Sequence, residues 1–159
     1  MAVSSYRLRW CEMADCDFEL PELLYHLIAI GSWPRNNQGE LSQNLHSLVP
    51  PERVKLFAPE EDRIYLFAPP FATVAQHNAS FWNEFGAIQE ISPKHSVIIG
   101  DFGLGSDTAI ILDYRDSNTN PKVMRLCWSQ VSNEPRTRWV PVAASFQEFA
   151  EMLGLVEAR

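Results

Sequence analysis

Between Ser96 and Trp128 the apolar and polar positions come in short alternating runs that predict strand, turn, strand, turn, strand. Val97-Ile98-Ile99 is a β-branched run, Gly100 to Ser106 supplies turn residues, and Ala109 to Leu112 is a second apolar run ending in Asp113-Tyr114-Arg115-Asp116. Asn118 to Pro121 marks the next break. In the third run, Lys122, Arg125 and Ser129 are set among Val123-Met124 and Leu126-Cys127-Trp128, which leaves at least one face buried. The pattern is a meander of antiparallel strands.

Helical spacing governs both ends. Leu20, Leu23, Leu24, Leu27 and Ile28 recur on one face, with Pro21 and Glu22 at the start and Gly31 at the stop, so His26 falls toward solvent or a helix edge. Near the C-terminus, Ser145-Phe146-Gln147-Glu148 is a capping box, Phe146, Phe149, Ala150 and Leu153 share a face, and Gly154 ends the helix. Asn78 to Gly86 predicts a further short helix through Phe81, Trp82 and Phe85. The tetrapeptide Leu-Phe-Ala-Pro occurs twice, at 56–59 and 66–69, around the acidic Glu60-Glu61-Asp62. It reads as two short strands or strand ends, each stopped by proline.

The glycines at 100, 103 and 105 follow a strand and invite a nucleotide-binding reading. A dinucleotide loop must open a helix, whereas Thr108-Ala109-Ile110-Ile111-Leu112 continues as strand, and no Gly-Lys-Ser/Thr follows. Histidines 26, 46, 77 and 95 are scattered, and none pairs with a recognisable nucleophile. Asp101, Asp107, Asp113 and Asp116 lack calcium-loop spacing and read as turn residues. No catalytic residue, cofactor or metal is expected.

A chain of 159 residues with 46% hydrophobic content supports one domain with a real core. We expect a helical part over about 1–50 and the sheet with its C-terminal helix over about 51–155. No apolar run reaches membrane-spanning length, and MAVSSYRLRW is not followed by a leader-type apolar segment, so a cytoplasmic location is expected. Three cysteines, Cys11, Cys16 and Cys127, suit free thiols rather than a disulfide framework, with Cys127 a small core hydrophobe. The net charge of −7 and the base-free acidic run Glu12, Asp15, Asp17, Glu19, Glu22 argue against nucleic acid and for a basic protein partner.

Ile99-Gly-Asp-Phe-Gly-Leu-Gly-Ser-Asp107, then Leu112-Asp-Tyr-Arg115, Pro121-Lys-Val123, Trp139 and Ala144 to Phe149 together resemble the SMI/KNR-like (SUKH) superfamily, over roughly the last 60 residues. The resemblance implies an α+β fold with a central, mostly antiparallel sheet flanked by helices. Many members are bacterial immunity proteins that bind and neutralise polymorphic toxins, and fungal relatives regulate cell-wall synthesis. It implies a non-enzymatic protein-binding domain whose partner is a basic toxin domain such as a nuclease, with a regulatory or scaffold module as the alternative and a small-ligand enzyme third. The expected contact residues are Asp101, Asp107, Asp113 and Asp116, with Tyr114 and Arg115 as hot-spot types if exposed. Phe102 and Leu104 either plug the core or present an anchor.

Overall fold

The structure, a computed structural model, describes residues 19–35, 49–76, 91–102, 108–131 and 134–157. Among them run α1 (Glu22–Ile30), α2 (Pro51–Val54), β1 (Tyr65–Leu66), β2 (Ala72–Thr73), β3 (Ser96–Asp101), β4 (Ala109–Asp113), β5 (Lys122–Val131), β6 (Glu134–Ala143) and α3 (Phe146–Leu153). The six strands form one open antiparallel sheet in the order β1-β3-β4-β5-β6, with β2 beside β1 on the same edge of β3. This is the expected α+β architecture, and β3 to β6 are its meander.

Strand alternation sends successive side chains to opposite faces, and both faces are covered. On one, Val97, Ile99, Ile110, Leu112 and Val123 pack with Leu24, Leu27 and Ile28 of α1, Val54 of α2, and Phe146, Phe149 and Leu153 of α3. On the other, Ile98, Ile111, Met124, Leu126 and Trp139 pack with Val74, which opens the 3-10 turn Val74–Gln76, and with Ile91, just before the turn Pro93–His95.

Local chemistry sets the helix ends. Gly31 and Gly154 close α1 and α3 with φ of 83° and 77°, a left-handed backbone that glycine adopts without strain. Ser145 Oγ accepts from the Glu148 N–H at 3.2 Å, and the Glu148 carboxylate reaches back to the Ala144 N–H, one residue before the position that the capping box predicts. His26 is exposed, as its spacing predicts. The strand reading of Leu56-Phe57 is corrected: Pro50-Pro51 starts α2, and these residues finish its turn, while Leu66 of the second copy lies in β1. The predicted helix at 78–86 lies outside the described residues.

Two irregularities of the sheet shape its edges. The β3–β4 ladder shifts register between Ile98 and Gly100, and on the other side of β3 the β1 strand runs so close that a side chain at Gly100 would meet the Tyr65 carbonyl oxygen at 2.9 Å. Beyond the Ile110–Arg125 pair, β5 continues with β6 alone to Val131–Glu134, so a two-stranded ribbon projects past β4. β6 is the outer strand and carries Pro135 and Pro141, residues a sheet tolerates at its edge.

Candidate functional site

The residues singled out from sequence divide between opposite ends of the β3–β4 hairpin. Asp101 pairs with Ala109 at one end and Ser96 with Asp113 at the other, about 15 Å apart along the strands. Asp101 therefore does not converge with Asp113 and Asp116. Leu104 and Asp107 lie outside the described residues.

At the Asp113 end the side chains serve the fold. Asp113 is buried, and its carboxylate accepts from the Arg115 backbone N–H at 3.1 Å, from Arg115 Nε at 3.0 and 3.2 Å, and from Nη2 at 2.8 Å. This bidentate pairing raises the Arg115 pKa. Tyr114 is buried and its hydroxyl donates to the Glu19 carbonyl at 2.9 Å, tying the entry of α1 to the sheet. Direct contact with a partner is thus corrected for Asp113 and Tyr114: burial in this turn leaves no side-chain surface to offer. Asp116 pairs with Lys122 at 2.6 Å with both exposed, and the Lys122 hydrogen bond lowers the Asp116 pKa.

At the other end Asp101 and Phe102 are buried too: direct contact is corrected for Asp101, and of the two roles expected of Phe102 the structure shows the core plug and not the anchor. Thr108 Oγ1 donates to Asp101 Oδ1 at 3.0 Å, and Phe102 plugs the helix-covered core, packing against Phe57. Beside them lies a charged group that the sequence pattern alone does not assemble. Arg125, in register with Ile110, occupies the row where the apolar face of β5 would continue. Its side chain is only 10% exposed, its Cζ lies 5.6 Å from the centre of the Phe102 ring, and its Nη1 donates to Glu60 Oε1 across 65 residues of sequence. A charge set among Val123, Met124, Leu126 and Trp128 was the available signal, because arginine is seldom buried without a partner.

Arg125 anchors an acidic turn on the surface. Glu60 is 54% exposed at its side chain, and Asp62 and Arg63 are exposed and paired loosely at 3.6 Å. Lys55 Nζ donates to the Glu61 carbonyl at 3.2 Å, joining the turn to the end of α2, where Leu56 is 63% exposed. Burial pushes Glu60 up, but the Arg125 hydrogen bond and charge outweigh it and hold the carboxyl below its ordinary range. Burial and the neighbouring Glu60 carboxylate raise Glu61. Cys127 is half-buried on the same face as Arg125 and in register with Arg138, and burial raises its thiol, which disfavours the reactive thiolate.

A separate cleft of about 410 Å³ lies where α3 ends, lined by Arg53, Glu151, Gly154, Leu155, Val156 and Glu157. Its one cation faces two carboxylates. Among the described residues no three His, Cys, Asp or Glu are grouped to hold a metal ion, and no helix is long and apolar enough to cross a membrane. Ser92 Oγ and His95 Nδ1 meet at 2.6 Å on the exposed turn before β3, where His95 also lends its carbonyl to the Tyr114 N–H. Comparison with family models, curated proteins and solved structures finds no significant match.

Proposed function

We propose that this chain is a protein-binding domain of the SMI/KNR-like type, an immunity protein that neutralises a basic toxin domain by direct contact. The observation that carries this reading is the anchored acidic turn: Glu60 and Asp62 exposed, with the exposed Leu56 beside them. Lys55 and Arg63 share this turn, and the exposed carboxylates beside the apolar side chain steer a basic partner toward it. The α+β sheet and the net charge of −7 are compatible with the same reading. The contact surface moves from the aspartates named in the sequence to residues 56–62.

The test is capture from the host lysate by wild type, by Leu56→Asp and by Glu60→Lys/Asp62→Lys, at low and high salt. A basic toxin domain held by wild type at low salt, released at high salt, and not held by either variant is the expected result. Capture indifferent to salt and to both variants overturns the reading and favours the regulatory module.

A further inference from the structure

We propose that the Nε–Nη2 edge of Arg125 is a carboxylate-binding site. A guanidinium presents two parallel N–H groups along that edge, matched to the two oxygens of a carboxylate. Arg115 of this chain shows the match, with Nε and Nη2 both on the Asp113 carboxylate. Arg125 differs. Glu60 engages its Nη1 alone, and Nε is buried with no acceptor among the described residues. A buried donor that has lost water and gained no acceptor is costly, so the fold carries a penalty here that an acceptor would relieve.

The site is built rather than incidental. The side chain is nine-tenths buried, and the Phe102 ring lies against the guanidinium, so its rotamer is already fixed before any ligand arrives. Arg138 stands opposite Cys127, diagonal to Arg125 on the neighbouring strand, and adds a second positive charge. Glu60, Glu61 and Asp101 act on the same neighbourhood, which disfavours a phosphate dianion and leaves a planar monoanion as the fitting ligand. Glu60 sits on Nη1 and not on the Nε–Nη2 edge, so it opposes a second carboxylate there through its charge.

The experiment follows the arginine Nε–H resonances of the full chain by NMR while sodium acetate replaces chloride at constant ionic strength. The expected result is a saturable shift of the Arg125 signal while the Arg115 signal, already paired, stays still. Glu60→Gln, a surface change that leaves the core intact, should tighten the acetate response by about threefold, the scale of one partly exposed ion pair. Phosphate serves as comparator, and a capped glutamate-containing peptide as the protein-borne source. A peptide about tenfold tighter than acetate assigns the site to a partner's side chain, and equal affinities assign it to a small organic acid. An Arg125 signal that does not respond in either wild type or Glu60→Gln overturns the proposal, as does phosphate binding more tightly than acetate.

Discussion

The two arginines at opposite ends of the central hairpin hold carboxylates in contrary ways. Arg115 is 40% exposed and its partner Asp113 only 2%, so there the anion is the buried member, and it is saturated with donors. Arg125 is the buried member of its pair, and its half-exposed Glu60 satisfies one nitrogen. A buried charge is tolerable when its hydrogen bonds are complete. The Asp113 end meets that condition and builds the fold, whereas the Arg125 end falls short, with its buried Nε unbonded.

The widest separation should come from removing each arginine. Arg115→Met strands Asp113 in the interior and is expected to cost about 2–3 kcal/mol in urea unfolding. Arg125→Met, of similar volume, removes a desolvated and incompletely bonded cation while its partner can face water, so stability should stay within about 1 kcal/mol of wild type. Equal losses would break the comparison. Tyr114→Phe, which deletes the bond to Glu19 but keeps the ring, should cost about 1 kcal/mol.

The Arg125 end should also carry a distinctive pH signature. Glu60 has a lowered folded pKa, so its contribution is present above the unfolded pKa and lost as pH falls through the folded one. Glu61 is raised, so its ionised form opposes folding at neutral pH, and that cost vanishes in acid. Glu61→Gln is therefore expected to raise Tm slightly at pH 7, with the gain fading once the pH drops below the ordinary glutamate range. A gain that persists in acid would show that charge is not its cause. Lys122→Gln should leave Tm unchanged, since the Asp116 pair lies in solvent, and a measurable loss would make the Asp113 end more dependent on surface charge than its geometry suggests.

Much of this fold was legible because α1, α3 and the β3–β5 meander carry their own punctuation: helical spacing closed by Gly31 and Gly154, and β-branched runs broken at turns. β6 was not read as a strand, for Glu134-Pro135-Arg136 and Pro141 suit only an edge, and edge position is a tertiary fact. The repeated Leu-Phe-Ala-Pro makes the same point, with one copy finishing a helix and the other leaving a strand. The site was less legible. Aspartates at strand ends look like turn residues facing water, yet Thr108 and Arg115 fold over two of them, and nothing local joins Arg125 to Glu60.

The prolines of β6 bear on how the molecule behaves among its own copies. An outer strand of ten residues offers a template on which another chain could lay down a strand. Pro135 and Pro141 lack amide hydrogens, so an added strand loses bonding wherever one of them would have to donate. Concentrated protein is thereby steered away from edge-to-edge polymerisation, and the projecting ribbon can stay long without seeding fibres.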